Sequence, residues 1–211
     1  MIVYVESNFV LEVVLDQEQA AAASELIHLA EQNRARLAIP AFAVVEPLWT
    51  LHRMWSERDS LWDKLVADLR QVKRSAGRRA FADSLLLGIE TLRTASDEQM
   101  DAYQSLVARL TAAAEIIPLN DSILRMIAAI QSRYELDRLD TVVLASILHH
   151  LATDDKVTDF SVDKVFVTRD RAAFSGDDVR KELNGLGCRP MFSFVALLQE
   201  LANTHPKPPD K

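Results

Sequence analysis

The chain is poor in the residues that cross-link, break or anchor a protein. A single cysteine, Cys188, excludes an intramolecular disulfide and favours a reducing compartment. Only five glycines and seven prolines, with 49% hydrophobic residues, are typical of a globular chain and exclude a disordered one. No apolar run reaches the ~18 residues of a membrane span, and no basic segment precedes an apolar N-terminal run. We therefore expect a cytoplasmic protein with no signal peptide and no membrane partner.

Positive charge is also scarce. Acidic residues outnumber basic ones 31 to 24, for a formal net charge of −7. This net charge argues against a protein that binds polyanions through its overall charge, but a local basic patch could still bind nucleic acid. The segment from Arg70 to Arg79 has five basic residues and no acid. It could follow an RNA backbone, or it could be a solvated loop between helices, and the sequence leaves both open.

Strand and helix patterns alternate along most of the chain, which predicts an α/β fold with a parallel sheet of four to five strands. Ser7 and Asn8 are expected to cap the first helix. Asp16, with Gln19 three residues on, resembles a capping box for the second. Asn120 or Asp121 is expected to cap a later helix, as is Ser193 for the last. The strands are expected at residues 2–5, 36–39, 115–119, 164–168 and 189–192.

The alternation is interrupted in the middle of the chain. Pro47 predicts that the helix of residues 41–55 either begins near Glu46 or bends there. Three amphipathic helices follow without a strand, at residues 57–73, 78–93 and 97–114. We interpret residues 1–203 as one domain with a helical insertion at about 56–114, and residues 204–211 as a disordered tail.

Four acids stand where ligands bind in a parallel sheet. Glu6 follows the first strand and Asp170 follows the fourth, so both should lie at the carboxyl edge of the sheet. Glu46 and Asp140 lie near the starts of helices, which should face the same edge. Carboxylates crowded together raise one another's pKa, and a hard divalent cation such as Mg²⁺ or Mn²⁺ relieves that repulsion.

Each acid also has an ordinary structural role. Glu6 could be a solvated acid at a strand end, and Asp140 could be favoured by the helix dipole alone. Glu46 could be a buried ion-pair partner, and Asp170 could be a turn acid. Asp137 competes with Asp140 for a place in the site.

These pieces together resemble the PIN domain family. That family has an apolar strand followed by an acid and a hydroxyl residue, a strand with Pro and then a helix with an internal Glu, an Asp before an apolar helix, and a strand running into Thr-x-Asp. The order and approximate spacing agree across nearly the whole chain apart from the insertion. The matching stretches are residues 3–11, 37–40, 44–46, 140–146 and 165–170, with Phe174 beyond them.

The resemblance implies a three-layer α/β/α fold and Mg²⁺- or Mn²⁺-dependent cleavage of single-stranded RNA by an endoribonuclease. Glu6, Glu46, Asp140 and Asp170 are the catalytic acids it implies, and Glu6, Asp140 and Asp170 the metal ligands. Many small bacterial members are ribonuclease toxins, so an antitoxin or another protein partner and a homodimer are further expectations.

Four neighbours of these acids are candidates for substrate binding. Ser7 and Thr168 could hydrogen-bond a phosphate or a metal-bound water, or could act only as caps. Arg169 and Arg171 flank Asp170 and are phosphate candidates by position.

Two features favour other functions. Most of the family has Asp where this chain has Glu6, and the extra methylene shifts the carboxylate within a site that tolerates little displacement. A catalytically weak or inactive module that binds RNA or protein is therefore the main alternative, and a structure-specific DNA nuclease is a third. His149 and His150 lie on an apolar helix without a metal-ligand companion, and we interpret them as structural.

Overall fold

Five short strands form one parallel sheet in the computed structural model, which describes residues 1–134, 136–154, 157–158 and 161–204. The order across the sheet is β3-β2-β1-β4-β5, and every neighbouring pair is parallel. The strands are β1 (Ile2–Tyr4), β2 (Arg36–Pro40), β3 (Glu115–Ile117), β4 (Lys164–Val167) and β5 (Cys188–Met191).

Nine helices are described around these strands, and none of them has the length and apolar character needed to cross a membrane. The arrangement confirms the predicted α/β fold with a parallel sheet and is consistent with three layers. Seven residues of the predicted tail, 205–211, lie outside the described part of the chain. The helices are α1 (Ser7–Val14), α2 (Ala20–Glu31), α3 (Ala41–Val72), α4 (Arg79–Ala113), α5 (Asp121–Gln131), α6 (Arg138–Thr153), α7 (Arg171–Phe174), α8 (Asp177–Gly185) and α9 (Phe194–Thr204).

The central strands are buried on both faces, which explains their continuous apolar sequence. All three residues of β1 are buried, and so are all four of β4. Phe166 in β4 packs edge-to-face on Phe174, with ring centroids 5.0 Å apart. Full burial of a side chain of this kind contributes about 1.5–3 kcal/mol, so the buried residues of β1 and β4 stabilise the middle of the sheet.

The strand order has a switch point between β1 and β4. From β1 the chain builds outward through β2 and β3 on one side, and then returns to build β4 and β5 on the other. In open α/β sheets a crevice forms outside the carboxyl ends of the strands at such a point. The residues that follow β1 and β4 are therefore brought to the edge of one crevice.

The predicted division of the helical region into short helices was wrong. α3 continues from Ala41 to Val72 through Pro47, and α4 continues from Arg79 to Ala113 without a break near Ser96. The only stop signals near Ser96 were polar residues, with no Gly or Pro, and the apolar spacing continues through them. Such residues end a helix only when their side chains compete for the backbone.

The chain divides into two compact units, one of Met1–Pro47 with Ser105–Lys211 and the other of Leu48–Gln104. The second unit is a helical hairpin made of the parts of α3 and α4 that fall within it, joined through a short 3₁₀ turn. Lys73 and Asp83 form an ion pair at 2.6 Å near that turn, and the Trp55 indole donates to Gln99 at 2.8 Å. One buried core cluster of this unit is made of Trp62, Leu69, Ala82 and Ile89.

Two of the predicted helix caps were wrong. Glu6, not Ser7 or Asn8, is the N-cap of α1. Asp16 has a φ of 48° and caps nothing, because α2 begins at Ala20 after Gln19. Short polar residues are the usual caps in local statistics, but Glu6 performs the same function from a buried position.

Asn120 caps α5 as expected, since its side chain accepts a hydrogen bond from the amide of Ile123 at 3.0 Å. Ser193 accepts one from the amide of Ala196 at 3.2 Å, at the start of α9. In both cases a short polar residue is separated from the end of a strand by one or two residues and lies immediately before a helix, where the local cap rule applies.

Candidate functional site

Glu6 and Asp170 are linked across the switch point by Thr168. The Thr168 hydroxyl donates to Oε1 of Glu6 at 2.9 Å, and the amide of Asp170 donates to the same hydroxyl oxygen at 2.9 Å. Oε2 of Glu6 accepts from the amide of Asn8 at 2.8 Å. Both oxygens of Glu6 are therefore fixed, and the end of β1 is joined to the end of β4.

The Glu6 carboxyl is almost completely buried, with 4% of the residue exposed. Its pKa is raised from the ordinary 4.5 to about 7, mainly by burial and to a smaller extent by the nearby charges of Asp140 and Asp170. The hydrogen bonds from Asn8 and Thr168 lower the pKa but do not cancel the effect of burial. No positively charged side chain is among the main causes of the Glu6 pKa shift.

Asp140 lies in the first turn of α6, which Asp137 caps. Oδ1 of Asp137 accepts hydrogen bonds from the amides of Leu139 and Asp140 at 2.7 and 2.9 Å. Burial raises the pKa of Asp140 from 3.8 to about 7, and the charges of Asp137, Asp170 and Glu46 act in the same direction. The acids expected at this edge thus act on one another electrostatically, with Asp137 as a further member.

The chemistry of this acid cluster fits a hard divalent cation. Its donors are carboxylate oxygens, which Mg²⁺ and Mn²⁺ prefer. Glu6 and Asp140 both resist ionisation, and an adjacent cation would favour their charged forms. The cluster is not a closed cage, because no three of its side chains place ligand atoms within 4.8 Å of one another in the described residues.

Arg169, a predicted phosphate ligand, is held by two carboxylates. Its Nη1 donates to both oxygens of Glu12, at 3.1 and 2.9 Å, and its Nη2 donates to Glu18 at 2.9 Å. Glu12 is 1% exposed, so Arg169 neutralises a charge buried within α1. Any role of Arg169 in substrate binding would have to compete with this ion pair.

Arg171 and Asp170 line an open cleft of about 550 Å³ together with Asn8. The Arg171 guanidinium lies 5.0 Å from the centre of the Phe192 ring, in a cation–π contact. Ser7, the remaining predicted substrate ligand, is buried as the first residue of α1. Of the four predicted substrate ligands, Arg171 is the side chain with the most favourable position for a phosphate.

Two features of the structure were missed by sequence reasoning. Glu12 is a buried acid in the apolar run of α1, and only its odd placement in that run could have indicated a partner. His150 was interpreted as structural, but its Nε2 lies 3.2 Å from Glu115 and 3.4 Å from Asp154. Asp154 is one helical turn away, which was a detectable signal, whereas Glu115 is 35 residues away and gave none.

Comparison with known proteins does not assign this chain to a family. No family model, no curated protein and no solved structure matches it. The class that the fold and site define is an α/β protein with a five-stranded parallel sheet and an acid cluster at its switch point.

The ion pair of Arg169 with Glu12 gives a stability prediction. Arg169→Ala leaves the buried Glu12 charge unpaired, and we expect a loss of about 2 kcal/mol, moderated by the partial exposure of the arginine. Arg171→Ala removes only a surface cation–π contact and should cost less than about 1 kcal/mol. Urea denaturation of both variants measures the difference, and equal losses would contradict the structural role of Arg169.

The raised pKa of Glu6 gives a pH prediction. The folded protein holds the proton up to about pH 7, whereas the unfolded chain loses it near its ordinary pKa of 4.5. Stability is therefore fully present below that lower value and falls as the pH rises through 7. We expect the metal-free protein to be about 1–3 kcal/mol less stable at pH 8 than at pH 5 on account of this group.

Glu6→Gln should remove much of that pH dependence, because an amide does not ionise. Glu25→Gln, which changes an exposed glutamate of α2, is the matched control and should leave it intact. Thermal melts across pH 5 to 8 in a chelator provide the measurement. An unchanged slope in Glu6→Gln would show that Glu6 is not the group responsible.

Proposed function

We propose that the chain is a Mg²⁺- or Mn²⁺-dependent endoribonuclease of the PIN type that cleaves single-stranded RNA. The observation that carries the proposal is electrostatic: in addition to burial, the charges of Asp140 and Asp170 raise the pKa of Glu6, and the charge of Asp170 also raises that of Asp140, at the switch point of a parallel sheet. The sequence resemblance supports the same class, since it names the same acids in the same order.

Glu6, Asp140 and Asp170 would hold the ion, and Glu46 would add to the negative charge around it. When bound, such an ion lowers the pKa of a coordinated water and neutralises the charge that builds on the phosphate. No side chain of the cluster needs to act as a nucleophile.

The chain's own groups would orient the acids before any substrate arrives. Thr168 and the Asn8 amide fix the Glu6 carboxylate, and the Asp137 cap fixes the first turn that carries Asp140. Each oxygen of Glu6 has a second lone pair left for a ligand. The same glutamate also caps α1.

Arg171 would bind a phosphate of the RNA from the cleft beside Asp170. A guanidinium presents paired donors that match phosphate oxygens.

Asp140→Asn should lower cleavage of a single-stranded RNA oligonucleotide by about 100-fold or more, because it removes a charged ligand without changing shape. Asp163→Asn is the matched control, since Asp163 is exposed and precedes β4 at the other edge of the sheet. Cleavage is measured in Mg²⁺ and in Mn²⁺, with a chelator as a blank and a DNA oligonucleotide of the same sequence beside it. Cleavage by Asp140→Asn at the unmodified rate would exclude Asp140 from the mechanism, and preference for DNA would favour the other nuclease class.

The helical hairpin favours a second candidate function, a non-catalytic module that assembles with protein. Large apolar side chains are exposed on the hairpin. Those at 61, 65, 81 and 85 each come one residue before a residue that is buried in the core cluster or packed against it, namely 62, 66, 82 and 86. In two antiparallel helices that offset turns them to the same side of the hairpin. The exposed apolar residues that we assign to this face are Leu61, Leu65, Phe81, Leu85 and Leu92.

A second copy of the chain is the partner that this face fits best. Two equal apolar faces are self-complementary about a two-fold axis, and pairing two hairpins would enclose the core of a four-helix bundle. The function would then be assembly, with the acid cluster serving a binding role.

Phe81→Glu should convert a dimer into a monomer at micromolar concentration, because it would bury a charge in the pairing face. Leu87→Glu is the control, since Leu87 is also exposed but follows Leu86 and so points to the other side. Light scattering after gel filtration reports the mass of each. A monomeric unmodified chain at ~100 μM would exclude this assembly, whose affinity would then be weaker than about −5.5 kcal/mol.

A further inference from the structure

A second group of candidate ligands lies at the amino-terminal edge of the sheet. Glu115 is the first residue of β3, and His150 and Asp154 lie at the C-terminal end of α6. One ligand atom from each lies within 4.8 Å of the other two. Among the described residues, this is the group of three whose ligand atoms lie that close together. Its ligand atoms belong to one imidazole and two carboxylates.

The group is well separated from the acid cluster at the switch point. Asp140 lies in the first turn of α6, whereas His150 lies in its last turn. A helix rises about 1.5 Å per residue, so ten residues place the two some 15 Å apart along its axis. One ion cannot be shared between them, and a ligand here is independent of the proposed nuclease site.

The imidazole of His150 is held in place from outside the group. His150 is 8% exposed, and its Nδ1 lies 2.9 Å from the hydroxyl of Tyr4, which is completely buried in β1. The two rings meet edge-to-face at 5.7 Å and 72°. This contact directs Nε2 to a point between the two carboxylates, at 3.2 Å from Oε1 of Glu115 and 3.4 Å from Oδ2 of Asp154.

Glu115 is oriented in the same way. Arg36 donates to its Oε2 at 2.6 Å, which leaves Oε1 facing His150. Metal-binding side chains usually have such outer partners, which fix their orientation and, for histidine, determine which nitrogen is free to bind. The same contacts would be present if His150 only donated a hydrogen bond to Glu115. A metal site differs from such a hydrogen bond in that it binds a cation.

We propose that Glu115, His150 and Asp154 form a binding site for a divalent transition-metal ion, with Zn²⁺ the best match. An imidazole nitrogen favours Zn²⁺ over Mg²⁺ and Ca²⁺, and the two carboxylates complete three protein ligands with one position open to water. The ion would join β3 to α6. β3 is a three-residue strand at the edge of the sheet, where the chain resumes pairing after α4, so a metal link there would secure a short element.

Titration of the full chain with Zn²⁺ against a chromophoric chelator tests the proposal. We expect one equivalent to bind at micromolar concentration or tighter and to raise the melting temperature by several degrees. His150→Gln should weaken binding by about 100-fold, and Tyr4→Phe, which removes only the outer partner, by about 10-fold. Millimolar Mg²⁺ should not displace the Zn²⁺.

Two controls and a second ligand variant keep the outcome decisive. His149→Gln changes the neighbouring histidine, whose Nε2 is 3.4 Å from Asn120, and should bind Zn²⁺ as the unmodified chain does. Asp140→Asn should also retain it. Glu115→Gln changes a partly exposed ligand and should also weaken Zn²⁺ binding. It replaces His150→Gln as the test if the variant at the buried histidine does not fold.

No Zn²⁺ binding by the unmodified chain would overturn the proposal. Binding that survives both His150→Gln and Glu115→Gln would overturn it as well, and loss of that binding in Asp140→Asn would place the ion at the switch point instead. Because these readouts require no cleavage, failure of the zinc site and failure of the proposed nuclease are distinguishable.

Discussion

The burial of the Glu6 carboxyl is the constraint on which the rest of the candidate site depends. A glutamate at 4% exposure must have both oxygens satisfied, and here the Asn8 amide and the Thr168 hydroxyl satisfy them. Those two contacts start α1 and join the ends of β1 and β4. The same hydroxyl receives the amide of Asp170, so the second acid is positioned by the group that stabilises the first. Crowding of further acids raises the free energy of the ionised state, a cost that proteins usually tolerate only where a site needs it.

Helix α6 separates two kinds of polar chemistry. Its middle is buried, with Val143, Leu144 and Ile147 all packed in the core. Its first turn carries an acid into a cluster of carboxylates, while its last turn carries an imidazole between two others. Oxygen donors alone favour hard ions, and a mixed nitrogen and oxygen set favours transition metals. A rigid apolar helix keeps these two groups apart, so their ion preferences can differ.

Much of the fold followed from local pattern, and the predictions that failed did so where burial or tertiary packing overrode a local rule. The continuous apolar runs of β1 and β4 predicted buried parallel strands, and Asn120 and Ser193 predicted the starts of α5 and α9. The predicted cap of α1 was wrong because cap rules favour Ser, Thr, Asp and Asn and take no account of burial. The breaks within α3 and α4 were wrong because a polar residue or a single proline ends a helix only when tertiary packing does not hold it together.

The sequence by itself determined the alternation of strands and helices, the parallel sheet, and the addresses of Glu6 and Asp170 at strand ends, since each depends on spacing along the chain. Only the tertiary structure decided that Arg169 neutralises Glu12 from 157 residues away, and that His150 meets Tyr4 from 146 residues away. Burial, which raises the pKa of Glu6 and Asp140, was likewise decided by packing. The physical reason is that charge interactions and desolvation depend on distance in space, and a linear pattern records only distance along the chain.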